Sequence, residues 1–524
     1  MSKLFSKRTI ALLLAMALCL SFAACTNNNT PKGPDATATP EPAPTEVPPL
    51  TPQPEIEDTG EPITYHVSNI FTDNMVVQRD RYIKIWGWAD QTSGYIYGEF
   101  MGEKRYAQIQ SDGYFLLEFS PQKATMTPQT LTVYPKNGNT TTLANILVGD
   151  VFIVGGQSNA ELTMQTAIQG LSKDDRTTLR EKILADSNIR VVVQSRANAV
   201  AKASFCATPQ KEVVNKSIKW YVGSEKSAWT KSSAIGYYFA LAYRDVCPDV
   251  PVGFIMMGAG GAALCELMPY DLAEELGIPF GTCYYNALTH PFIGLPFTGM
   301  LFYQGESNTG GDNPKRYAAD LKAMVDRYRE LWGFDFPFYN VQLSSHGPDS
   351  LAVWESVAAI RGAQFEAEKI ISNYYLIVSM DVGFRAEEGA DWAHPKNKEP
   401  VGRRLANACL ATYFGLLDQD SNLSPEPVKI EWKGSEALLT YDHVASGLGL
   451  MPDTGDKLIG FQYRVNGEIK DAEAEIVGTN QVSVKIESGA DLVRYGMTEF
   501  GYPENANLQS SAGYPSPAFY FEKN

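Results

Sequence analysis

The sequence predicts an α/β protein: a mostly parallel β-sheet covered by helices on both faces and flanked on either side by a β-rich module. Three observations carry this. Between about residues 146 and 423, apolar runs of strand length alternate with longer runs of helix length, the pattern that builds parallel sheets. On both sides of that region the chain has only short β-branched and aromatic runs separated by polar and glycine-bearing turns. Finally, turns at 155–158, 258–261 and 304–308 each follow directly on a strand-like run, so in a parallel sheet they converge on one edge, where such folds bind ligands.

The chain opens with Lys3, Lys7 and Arg8, an apolar run over 10–22 and the small residues Ala23-Ala24 before Cys25. This reads as a secretory signal over 1–24, too short and too early for a stable membrane span. Phe22-Ala23-Ala24-Cys25 resembles the lipobox of bacterial lipoproteins, with Phe22 where leucine is usual. The resemblance implies that Cys25 is lipidated and that the protein is exported and anchored at the bacterial cell membrane or cell surface by its lipid alone. Residues 25–62 complete this leader as a Thr- and Pro-rich tract with almost no large apolar side chains, expected to be a disordered tether.

The β-rich module expected over 63–145 has strand-like runs at 82–88, 95–100, 114–119 and 131–134. It is expected to be a small β-sandwich, with Trp86, Trp88, Tyr95 and Tyr97 serving core and cross-strand packing before any stacking on sugars. The core region over 146–423 then reads as strands at 151–154, 189–193, 252–257, 298–303, 338–343 and 375–380. Helices are expected at 234–245, 317–331, 353–370 and 401–413. Short strands return at 428–432, 437–441, 458–465, 482–486 and 492–495, a second β-module over 424–524.

The formal charge of −16 becomes −19 once Lys3, Lys7 and Arg8 leave with the signal. With no basic stripe to release counterions, binding to nucleic acid or to anionic lipid is disfavoured, and neutral or weakly charged ligands fit better. Past Cys25 the cysteines are Cys206, Cys247, Cys265, Cys283 and Cys409, an odd number without a C-x-x-C pair, so neither a disulfide framework nor a zinc site is indicated. Five histidines without metal-ligand spacing argue against a metalloenzyme, and no cofactor motif is present.

The chemistry concentrates in VGDVFIVGGQSNAELTMQ, residues 148–165. A strand runs into Gly155-Gly156 and delivers Gln157-Ser158-Asn159 at the mouth of a helix, whose first N–H groups would stabilise negative charge developing beside the serine. Taken with the Gly-Gly turn after VPVGFIMM, with FYQGESN, FYNVQL and DWAHPKNKEPVGRRLA, and with flanking segments such as NIFTDNMVVQ and VRYGMTEFGYPENANLQSSAGYPSPAF, this stretch resembles the sialate O-acetylesterase family, a branch of the SGNH hydrolases.

The resemblance implies an SGNH-type parallel-sheet hydrolase core. It makes Ser158 the nucleophile, His394 the general base and Asp391 the residue that orients His394, with Asp381 the rival for that place. The Ser158 N–H, a glycine of the Gly260-Gly261 pair and the Gln304 side chain become the oxyanion donors. Each role suits ester hydrolysis: a hydroxyl needs activation, an imidazole exchanges protons near neutrality, and a carboxylate fixes its tautomer. Glu306 reads as a buried acid holding the Gln304 turn before any catalytic role, and His290 and His346, at the same edge, as packing residues before any contact with substrate. Ala160 stands where the family has Met, and Leu264-Cys265-Glu266-Leu267 where a Trp follows the glycine turn; both departures bear on the substrate pocket.

The implied activity is carbohydrate O-acetyl ester hydrolysis on an O-acetylated sugar or glycan, sialate first, through an acetyl-serine intermediate and without metal or cofactor. Acetylated xylan or another plant polysaccharide is the alternative substrate. A non-catalytic glycan-binding surface lipoprotein is the alternative function.

Overall fold

The computed structural model describes residues 47–58, 60–194, 208–278, 283–311, 313–345, 351–382, 393–497 and 505–523. The sequence-based readings of Cys25, Cys206, His346 and Asp391 lie outside these residues.

The centre is a single strand, Thr141–Gly156. Its second half pairs in parallel with Val252–Met256 on one side and Gly299–Tyr303 on the other. Beyond Gly299–Tyr303 lie Phe338–Val341 and Tyr374–Ile377, both parallel. Beyond Val252–Met256 lies Ile189–Val192, also parallel, and then Trp220–Val222 closes that edge antiparallel, so the sheet is mixed. All but the outermost strand on that edge were legible as apolar runs. Every residue of the 147–156 segment is buried, as expected for a strand covered on both faces.

Helices Ala234–Val246 and Glu399–Thr412 pack against each other, and Asn313–Trp332 packs against Leu351–Ile370. Gly402 makes the first contact possible: a Cβ there would sit 2.4 Å from Tyr238 Cβ and 2.8 Å from the Phe239 nitrogen. Among the described residues no helix is long and apolar enough to cross a membrane.

The first half of the Thr141–Gly156 strand belongs to the N-terminal β-structure. There it pairs in parallel with Val76–Gln78 and antiparallel with Thr125–Pro135; Thr125–Pro135 pairs with Tyr95–Phe100, which in turn pairs with Glu103–Gln108. A second, antiparallel sheet of Tyr65–Val67, Ile83–Ala89 and Tyr114–Phe119 packs against it through Ile85, Phe115, Leu117, Phe119, Ile96 and Phe100. Trp86 is buried edge-on to Phe71, while Trp88 lies against Tyr114 and Tyr97 stacks on Tyr134 across neighbouring strands. The boundary placed after Asn145 falls inside the long strand, where Asn145 itself takes a φ of 57° and interrupts its regularity.

Residues 47–58, expected to belong to the tether, instead run along the N-terminal β-structure. Arg105 Nη1 donates to the Thr51 carbonyl at 2.8 Å, Gln53 exchanges two hydrogen bonds with the Tyr106 backbone, and Tyr97 Oη donates to Asp58 at 2.8 Å. The tract has few apolar groups, so it is held by polar contacts that hydropathy does not register.

Toward the carboxyl end are two four-stranded sheets and a two-stranded ribbon. The last strand, Phe519–Glu522, fixes them to the parallel-sheet region: Gln342 Nε2 donates to the Ala518 carbonyl at 2.8 Å, the Ala518 N–H donates to Gln342 Oε1 at 2.9 Å, and Phe519 packs on Phe365.

Glu368, on the helix Leu351–Ile370, accepts from the Leu376 N–H at 2.9 Å. Burial, then the charge of Glu426 from the C-terminal β-structure, raises its carboxyl well above the ordinary range; burial also raises Glu426. A raised carboxyl contributes stability in acid and loses it as pH climbs through the folded-state value. Glu368→Gln, which keeps the acceptor for Leu376 and gains a donor toward Glu426, is therefore expected to unfold a few degrees higher than wild type at pH 8. Thermal unfolding should show that advantage shrinking toward pH 4.

Candidate active site

The site begins with a steric demand. Gly156 has φ +124°, and a Cβ there would lie 2.1 Å from the Tyr303 carbonyl oxygen, so only glycine lets the two neighbouring strands end this close together. The Gln157 N–H donates to that same carbonyl at 2.9 Å, and the chain turns into the helix Ser158–Glu161. That helix is a single turn. Its macrodipole is correspondingly small.

His394 Nε2 lies 2.8 Å from Ser158 Oγ, so the neutral ring can accept the hydroxyl proton. Both residues are partly exposed and lie 236 positions apart in the chain, brought together by the turn after the central strand and the loop before helix Glu399–Thr412. Asp391 is outside the described residues. Its rival Asp381 is engaged elsewhere: Arg404 grips it with two hydrogen bonds, 2.7 Å from Nη1 and 2.6 Å from Nη2.

The oxyanion assignments change. Gln304 is fully buried, and its Nε2 donates to Gln157 Oε1 at 3.1 Å, the Ala262 carbonyl at 3.2 Å and Asn308 Oδ1 at 2.7 Å, while its Oε1 accepts from Tyr317 Oη. Every hydrogen of that amide is used beneath the turn, so Gln304 is a buttress and has no donor left for a substrate oxygen. Gln157 Oε1 also accepts from the Gly305 and Ser307 N–H groups, which ties the first and third motif turns together. Gly260 lies beside Ser158, since a Cβ on it would reach Ser158 Cβ at 3.7 Å. Its N–H donates to Glu161 Oε2 at 2.6 Å. Gly261, exposed and at φ +79°, is the other glycine of the pair.

Glu306 lies under the serine turn. Its Oε1 accepts from Asn159 Nδ2, and its Oε2 is buried with no partner among the described residues. Burial raises this carboxyl above its usual range, opposed by hydrogen bonds from its own backbone and Asn159 and by the charges of Lys398 and His394. His290 is occupied by packing, with Nδ1 2.8 Å from the Gln210 carbonyl and its ring against Tyr285. Among the described residues no cluster of three or more His, Cys, Asp or Glu could hold a metal ion.

Sequence reasoning gave no role to Asn159, Lys398 or Glu161, all of which sit at this site. Lys398 did carry a signal: it immediately precedes the helix Glu399–Thr412, where a cation is disfavoured by the helix dipole, so a lysine there has another task.

A profile of the family described as "Carbohydrate esterase, sialic acid-specific acetylesterase" matches residues 148–411. Human sialate O-acetylesterase is 25% identical over 327 residues, covering 56% of this chain and 59% of the human protein. The mouse sialate O-acetylesterase is 28% identical over 175 residues, 30% of this chain and 31% of its own. The chain therefore spans less than two thirds of these relatives. The crystal structure of a carbohydrate acetylesterase from Xanthomonas citri shares the fold, with a TM-score of 0.75 at 24% identity over 88% of this chain and all of that one. The profile takes in half of the chain, from the central strand through the helix that follows His394, and on that match the protein belongs to the sialic acid-specific acetylesterase family of carbohydrate esterases.

Proposed function

We propose that this chain is a carbohydrate O-acetylesterase working through an acetyl-serine intermediate, with sialate esters as the first substrate class. The observation that carries the reading is the 2.8 Å hydrogen bond between His394 Nε2 and Ser158 Oγ at the edge where three motif turns converge. In this reading His394 takes the Ser158 proton as Oγ attacks the acetyl carbonyl. The developing oxyanion is held by the Ser158 N–H and, of the glycine pair, by the Gly261 N–H, since that of Gly260 already donates to Glu161 Oε2. Collapse breaks the bond to the sugar oxygen, which leaves with the proton from His394. Water, deprotonated by the same imidazole, then releases acetate and restores the serine. Asp391, three residues before His394, orients the ring. Membrane tethering through a lipidated Cys25 belongs to the same proposal and places the enzyme where glycans outside the cell meet it.

Acetylated xylan is the second substrate reading, favoured by the acidic charge of the chain, which does not select for an anionic sugar; of the sequence departures, Ala160, Leu264 and Leu267 are buried, and only Cys265 and Glu266 are partly exposed. A glycan-binding protein without catalysis would have no use for a serine and a histidine at bonding distance.

Ser158→Ala and His394→Ala are each expected to remove nearly the whole rate gain on an acetyl ester. The double variant should lose little more than either, since residues acting as one unit are strongly non-additive. Asp391→Asn should fold normally and lower kcat by about 10²–10⁴. Wild-type turnover in Ser158→Ala would exclude the covalent route.

Because the base must be neutral to accept a proton, kcat/KM should fall on the acid side, and dialysis against a chelator should leave it unchanged. Activity lost to the chelator and restored by a divalent ion would replace this mechanism with a metal-assisted one.

Acetate release from O-acetylated sialic acid and from acetylated xylan, compared at equal enzyme, should favour the sialate. The reverse order would move the assignment to plant polysaccharide.

A further inference from the structure

The residue after Ser158, Asn159, has its side chain wholly buried. Asn159 Oδ1 accepts from Lys398 Nζ at 2.6 Å, while its Nδ2 donates both to Glu306 Oε1 and, at 2.9 Å, to the carbonyl of Ala393. Both amide hydrogens are thus used, and each of the three partners comes from a different part of the fold. Lys398 precedes the helix Glu399–Thr412, Glu306 opens the short turn Glu306–Asn308 after the neighbouring strand, and Ala393 is the residue immediately before His394.

Two features separate this cluster from ordinary packing. Lys398 is only 1% exposed, with Nζ 5.2 Å from the centre of the Tyr303 ring, and an ammonium buried this deeply is costly unless its surroundings need it. Here it lies against the oxygen end of the Asn159 amide and polarises it, which strengthens the two N–H donations at the opposite end. Those donations lead to Glu306 and to the backbone that carries the histidine.

We propose that Asn159, drawn tight between Lys398 and Glu306, is a positioning residue: it fastens the His394 loop to the serine's own turn through the Ala393 carbonyl. Serine and histidine approach each other from remote parts of the chain, and Asn159 joins the two supports directly, one residue away from each reacting side chain. This rests on the esterase reading for its consequence in turnover, though not for its geometry.

The test uses Asn159→Asp in the full chain. The substitution is isosteric and keeps the acceptor for Lys398, but it sets an oxygen against the Ala393 carbonyl. With p-nitrophenyl acetate, kcat should fall about 10²-fold, the cost of an ångström-scale misplacement, with KM within about twofold. The rate at which a fluorophosphonate labels Ser158 should fall in parallel. Glu306→Gln, which keeps the acceptor, should stay near wild type, whereas Glu306→Ala should behave like Asn159→Asp. Thermal unfolding identifies the folded variants. If Asn159→Asp does not fold, the Glu306 pair decides.

Unchanged kcat and labelling in a folded Asn159→Asp, or equal losses in Glu306→Gln and Glu306→Ala, would overturn the proposal while leaving the esterase reading intact. A wild type that labels at Ser158 but releases no acetate, with labelling slowed in Asn159→Asp, would overturn the esterase reading and uphold the positioning role. A wild type that neither labels nor hydrolyses would overturn both.

Discussion

Two parallel strands finish so close together that no side chain fits between them, and the site depends on that approach. Gly156 lies against the Tyr303 carbonyl, and the Gln157 N–H closes the contact. From there the Gln157 side chain gathers the Gly305 and Ser307 N–H groups, Gln304 fills the space beneath, and Tyr317 on the following helix fixes Gln304. Ser158 is therefore held by a hydrogen-bonded block of two turns, and its placement is a property of that block more than of the one-turn helix it begins.

Elements with a strong apolar pattern were legible in the sequence. The strands at 252–256 and 299–303 are short continuous hydrophobic runs, and the helix Asn313–Trp332 carries a clear buried stripe from Tyr317 to Trp332. Elements without one were missed. The helix Lys173–Ala185 buries a single residue, Ile183, so it offers no stripe, although Ser172 caps it by accepting from the Asp175 N–H. The strand Trp220–Val222 has three residues and no period to detect.

At the site, Ser158 and His394 could be found because motif chemistry names them. Gln304 was given the wrong job because the direction of a side-chain amide is decided by tertiary neighbours, here Ala262 and Asn308, that no local pattern encodes. Lys398 was passed over because a lysine beside a helix start usually faces water.

Buried charge recurs where the parts of the fold meet. Asp150, 1% exposed on the central strand, accepts from Gln78 Nε2 and Arg79 Nε in the N-terminal β-structure, from Tyr243 on a covering helix and from Thr298 ahead of the next strand. Asp381 with Arg404 plays a similar part, and Arg404 also faces the Tyr514 ring from the C-terminal β-structure. Buried pairs add little net stability over an apolar replacement, but removing one partner strands the other. Such nodes make the junctions intolerant of sliding, which suits a serine and a histidine that must meet within a fraction of an ångström.

The long strand Thr141–Gly156 also sets an order of events during synthesis. Its first half pairs with Val76–Gln78 and Thr125–Pro135, which leave the ribosome before it and can be waiting. Its second half pairs with Val252–Met256 and Gly299–Tyr303, made roughly a hundred and a hundred and fifty residues later. Until they arrive, the wholly apolar Val151–Val154 is held extended by the folded half of its own strand, with both edges open to any other strand. The stretch that leads to Ser158 is, for that interval, an apolar segment whose unpaired edges invite another strand to add to it.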